Sequence, residues 1–142
     1  MKTEQSSIYR AIENIMFWVI EMSLRAPKTA IFAAMSRRLI DALTDALVSC
    51  SMALNQPDLR SRIELIGLIK IHLDVAASII RVWHQWSSRK DVKAGECAAR
   101  IISNKQLTYY FTEMEKLGRQ LAGWRNQTAK QLEATTAKED KV

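Results

Sequence analysis

Few side chains in this chain could work as acid, base, nucleophile or metal ligand near neutral pH. There are two histidines, His72 and His84, and two cysteines, Cys50 and Cys97, in 142 residues. Imidazole titrates near neutrality, so each histidine is a natural first suspect for proton transfer. His72 falls within an apolar stripe of helical spacing, which reads as a hydrogen-bonded core or interface histidine. The cysteines stand 47 positions apart, with no CxxC or Cys/His ligand spacing, and read as buried, reduced thiols. No phosphate-binding GxxxxGK[ST], dinucleotide GxGxxG, metalloprotease HExxH or nucleophile-elbow GxSxG run occurs. The expectation is a protein that binds rather than catalyses, with no metal and no cofactor.

His84 follows Arg81 by three residues. Helical ribonucleases of the HEPN class set their arginine and histidine four to six residues apart, so the spacing here departs from that pattern. The cations make a better case. Formal charge is +6, from 21 Lys and Arg against 15 Asp and Glu, a surplus that attracts polyanions. Arg37, Arg38, Lys70, Arg81, Arg89, Lys90, Lys93 and Arg100 occupy the middle of the chain, and Arg119, Arg125 and Lys130 recur later. Between Val75 and Tyr110 six cations face two acids, which makes this region the leading polyanion surface. Sequence-independent phosphate contact is the mode such a surface serves. Trp18, Trp83, Trp86 and Trp124 could stack on bases, although three of them lie within apolar stripes that suit a core or subunit interface.

Helices must position these groups. Only 4 glycines and 2 prolines punctuate a chain rich in Ala, Leu, Ile, Met, Lys, Arg, Glu and Gln, so helix propensity is high throughout. The predicted fold is all-α: an antiparallel four-helix bundle, up-down-up-down, forming one domain over residues 1–130. The helices are placed at about 6–26, 28–54, 58–86 and 103–128, followed by a polar, flexible tail over 131–142. Ile8, Ile12, Ile15, Met16 and Val19 mark the inner face of the first, which Pro27 closes. Ile31, Met35, Leu39, Ala42, Ala46 and Ser49 mark that of the second.

The third helix carries one stripe of Leu65, Leu68, His72, Val75, Ile79, Val82 and Trp86. A second row is Leu59, Ile63, Ile66, Leu73, Ala77 and Ile80. A helix apolar on two sides must be covered on both, so one side is expected to meet another subunit. Residues 87–102 read as a polar connection. Ser103 to Gln106 then has the form of a capping box, which starts the fourth helix. Along it Leu107, Tyr110, Met114, Leu117, Leu121 and Trp124 follow at heptad spacing, while Gly118, Ala122 and Gly123 leave room for a close neighbour. Leu65, Leu68, Val75, Ile79, Trp83, Trp86, Leu117, Gly118, Leu121 and Trp124 are the expected core or oligomer-interface residues.

At 48% hydrophobic and 25% charged, the chain has the composition of a folded globular domain rather than a disordered one. Glu13 and Glu21 interrupt the apolar stretch near the N-terminus, so it lacks the form of a signal peptide. No run approaches the roughly 18 apolar residues of a membrane span. A cytoplasmic protein with no membrane partner is the expectation.

The fourth helix also carries a recognisable signature. Ile102-Ser103-Asn104-Lys105-Gln106 is followed by Glu115-Lys116-Leu117-Gly118-Arg119-Gln120-Leu121-Ala122-Gly123-Trp124. This resembles the C-terminal part of Avd proteins, the accessory variability determinants of diversity-generating retroelements. They belong to a wider family of four-helix bundles that includes proteins encoded in 23S rRNA intervening sequences. Arg25, Pro27 and Lys28 after the first helix, and Ile80-Arg81-Val82-Trp83-His84-Gln85-Trp86 in the third, extend the likeness over about residues 8–128. The polar stretch after Trp86 and the polar tail depart from it. The resemblance implies a barrel-shaped homopentamer with a basic surface that binds nucleic acid and the retroelement reverse transcriptase. It further implies a role in making cDNA from template RNA during mutagenic retrohoming. A four-helix-bundle RNA-binding or self-assembling protein outside such an element is the alternative.

Overall fold

The structure, a computed structural model, describes residues 3–26, 28–87 and 103–140. The described residues form four α-helices and no strand: α1 (Thr3–Arg25), α2 (Ala30–Asn55), α3 (Leu59–Ser87) and α4 (Asn104–Asp140). The predicted polar connection, with Arg89, Lys90, Lys93, Cys97 and Arg100, lies outside the described residues, as does Pro27. No helix among the described residues is long and apolar enough to cross a membrane.

Side-chain spacing explains which face each helix buries. On α1, Ile8, Ile12, Ile15, Val19 and Met22 recur every three or four residues and are all buried. On α2 the buried face is Phe32, Leu39, Ala42, Leu43, Ala46, Ser49, Cys50 and Ala53. Its small side chains permit close approach, and α2 meets α3 more extensively than any other pair of helices meets. Helix α3 also packs on α4 and α1 on α2, while α1 and α4 share a smaller contact. All four helices thus share one core.

Two aromatic pairs tie helices across that core. Phe32 of α2 lies against Trp83 of α3, with ring centroids 5.4 Å apart, and Trp18 of α1 stacks on Tyr110 of α4 at 5.1 Å. The Cys50 thiol is buried, and burial pushes its pKa up to about 11. The indole nitrogens of Trp83 and Trp124, the Tyr110 hydroxyl and the Ser23 hydroxyl are buried without hydrogen-bond partners among the described residues.

The helix ends have local causes. Thr29 accepts a 3.4 Å bond from the Phe32 N–H at the start of α2. Asp58 caps α3: its carboxylate accepts from the Ser61 N–H at 3.1 Å and the Ser61 hydroxyl at 2.6 Å. Arg62 donates twice to the Gln56 carbonyl, at 3.0 and 2.6 Å, and so fastens the α2–α3 turn. The capping box expected at Ser103 is present. The Gln106 N–H donates to Ser103 Oγ at 3.1 Å, and the Ser103 N–H donates to Gln106 Oε1 at 2.9 Å.

Two expectations need correction, and one is narrowed. On α2, Ile31 is 61% exposed, and Phe32 beside it turns inward instead. Of the two expected rows on α3 the core takes Ile66, Leu73 and Ile80 from the second and adds Ile69, Ala76 and Trp83. Leu65, Ile79 and Trp86 pack partly against this core, while Leu68, Val75 and Val82 are 43%, 38% and 57% exposed. Helix α4 continues past residue 128 to Asp140. Beyond Thr128 only Ala129 and Leu132 are even half-buried, so helix propensity rather than burial carries that extension.

A candidate nucleic-acid and partner interface

The predicted cations divide by place. Arg37 and Arg38 are exposed on α2, Lys70 and Arg81 on α3, and Arg119 and Arg125 on α4. One pair, Lys70 and Arg81, is brought together. Arg38 borders a shallow surface with Asp74, Val75 and Ser78 of α3. Lys70 and Arg81 line a groove of about 400 Å³ between α3 and α4, opposite Phe111, Met114, Glu115 and Gly118. Arg37, Arg119 and Arg125 line neither surface, Arg119 reaching the groove only through its pair with Glu115, and Arg89, Lys90, Lys93 and Arg100 fall outside the described residues.

The groove is less uniformly positive than the cation count suggested. Lys70 Nζ pairs with Asp74 at 2.7 Å, and Arg119 pairs with Glu115 at 3.0 Å. Both pairs are one helical turn apart and well exposed, the range in which an ion pair contributes little and can be exchanged for a phosphate. Arg81 differs: its guanidinium sits 5.0 Å from the centroid of the Phe111 ring. Stacking holds the planar group in place and leaves its N–H edge able to grip an anion in two-pronged fashion. Phe111 was not singled out in the sequence, and only the fold brings it opposite Arg81.

His84 Nε2 lies 2.8 Å from Asn104 Oδ1, which joins the end of α3 to the start of α4. His72 is half-buried and makes no hydrogen bond to a described residue, against the expectation of one. Trp83, Leu117, Leu121 and Trp124 belong to the core. No described residue uses the room left by Gly118 and Gly123, since a Cβ at either position would meet nothing within 4 Å among them. Among the described residues no three His, Cys, Asp or Glu side chains converge as metal ligands would. The chain matches no family model, no curated protein and no solved structure.

Proposed function

We propose that this chain is an accessory protein, without catalytic activity of its own, of a diversity-generating retroelement. It binds the element's reverse transcriptase and the template RNA or cDNA through a basic surface, acts in the cytoplasm, and supports mutagenic retrohoming. The observation that carries the reading is the Avd-like run from Leu117 to Trp124. Its Leu117, Leu121 and Trp124 fill the core and leave Arg119 and Gly123 on the surface. Exposed Arg38, Lys70, Arg81 and Arg119 supply phosphate-binding charge. Short connections between α1 and α2 and between α2 and α3 favour antiparallel neighbours in an up-down-up-down bundle.

The outer apolar side of α3 supports a second element of this reading, assembly into a homo-oligomer, with five copies suggested by the resemblance alone. That same side favours the alternative, a self-assembling RNA-binding bundle outside any retroelement. Co-purification with the neighbouring reverse transcriptase and its RNA tests the choice, in the wild type and after Arg-to-Glu changes at Arg81, Arg89 and Arg119. Loss of both partners in the triple variant is expected. Capture of RNA without polymerase would move the reading to the alternative, and unchanged capture of both would overturn the basic surface.

A further inference from the structure

The contact between α1 and α4, sparser than those of α2 with α3, α3 with α4 and α1 with α2, leaves a cleft of about 300 Å³. Its walls are aromatic: Trp18, stacked on Tyr110 with planes 28° apart, and Tyr109, which is 61% exposed. Its polar lining mixes a guanidinium, an amide and a carboxylate, from Arg10, Asn14 and Glu113. The Tyr110 hydroxyl is buried in the same wall without a partner among the described residues. Arg10 and Asn14 make no hydrogen bond or ion pair to a described residue, and Glu113 meets Lys116 at 3.3 Å.

We propose that this cleft receives one unpaired base of a single-stranded nucleic acid, an inference that rests on the nucleic-acid reading above. Three observations select that ligand. A planar ring needs flat aromatic surface, and every base offers a π-face to it. A base edge presents donors and acceptors side by side, which an amide and a carboxylate together can match, as in the readout of splayed single-stranded bases. The volume lies at the bottom of the usual range for small-molecule sites, enough for a base with its sugar and little more. Arg10 in the same lining supplies a charge for the adjoining phosphate. The cleft is separate from the α3–α4 groove, so the strand would be held by charge along one surface and by stacking at another.

Fluorescence anisotropy with the full chain tests this, using a labelled single-stranded RNA of about 12 nucleotides and an abasic strand of the same length and charge. The wild type is expected to bind the base-containing strand at least about fivefold more tightly, the lower end of what one stacked base contributes. Tyr109→Ala, at an exposed position, is expected to abolish that preference and leave abasic binding unchanged. Arg81→Glu is expected to weaken both strands alike. Equal wild-type affinity for the two strands overturns base capture and leaves the phosphate surface standing. A preference that survives Tyr109→Ala overturns this cleft as its location. Binding to neither strand overturns the nucleic-acid reading itself.

Discussion

Val82 and Trp83 are adjacent in the chain and opposite in fate. Val82 is 57% exposed and Trp83 is fully buried, because one step along a helix turns a side chain by about 100°. Trp83→Ala should therefore cost about 3–5 kcal/mol in urea unfolding followed by circular dichroism. Val82→Ala, measured in the single-chain Ile71→Glu, Val75→Glu background so that no neighbour covers it, should stay within about 0.5 kcal/mol. Comparable losses at both positions would mean that α3 turns a different face inward. Asp58 offers a prediction in pH. The Ser61 hydroxyl and then the Ser61 backbone N–H hold its carboxyl below the ordinary carboxylate range. The folded state thus binds this proton more weakly than the unfolded state, so stability rises with pH through that window. The contribution is complete above about pH 4 and is lost as pH falls through the lower, folded-state value. Asp58→Asn keeps a capping side chain but not the charge. Its deficit in urea midpoint against the wild type should shrink between about pH 6 and about pH 3, and a constant deficit would exclude the mechanism.

At the scale of the helix, the fold was readable where local chemistry and burial agree. The α1 stripe from Ile8 to Val19 and the Ser103–Gln106 capping box follow from spacing and hydrogen-bonding capacity within a few residues. The core face of α3 was not readable in the same way. Apolar residues surround much of that helix, so periodicity offered two stripes, and the choice of Ile66, Ile69 and Leu73 depends on where α2 and α4 lie. The end of α4 was missed for the opposite reason: past Thr128 there is almost no apolar face to read, yet Ala, Lys, Glu and Gln sustain a helix by propensity. In the candidate site, Arg81 was legible as a cation and its stacking on Phe111 was not, since 30 positions separate them. Tyr109 and Arg10 were missed because neither belongs to a motif, and only the packing of α1 beside α4 places them together. Ending the chain after Lys130 should remove the helical circular-dichroism signal of residues 131–140 and change unfolding stability by less than about 0.5 kcal/mol. A larger loss would place that segment against the rest of the protein.

For the whole molecule, outward-facing apolar and charged groups make separable demands. Leu68, Ile71, Val75 and Val82 form a row on the outside of α3 at spacings of three, four and seven, the pattern of a helix covered by another helix. Single exposed apolar residues are ordinary on a protein surface, whereas an aligned row is what the proposed assembly would cover. Ile71→Glu with Val75→Glu should leave helicity intact and reduce the mass measured by light scattering to that of one chain, 16.2 kDa. A wild type already at that mass would remove assembly from the proposal. The charge surplus of +6 answers to salt instead. Each phosphate neutralised on a single strand releases condensed counterions, and contributes about −0.7 to the slope of log affinity against log salt. Arg81, fixed on Phe111 and free of an acidic partner among the described residues, should account for one such contact, so Arg81→Gln should flatten the slope by about 0.7. Lys70→Gln should flatten it less, because Asp74 already occupies that ammonium at 2.7 Å and must release it before a phosphate gains. Equal flattening at the two positions would show that the acids of the α3–α4 groove do not compete for its cations, and no change at either would place the strand elsewhere on the surface.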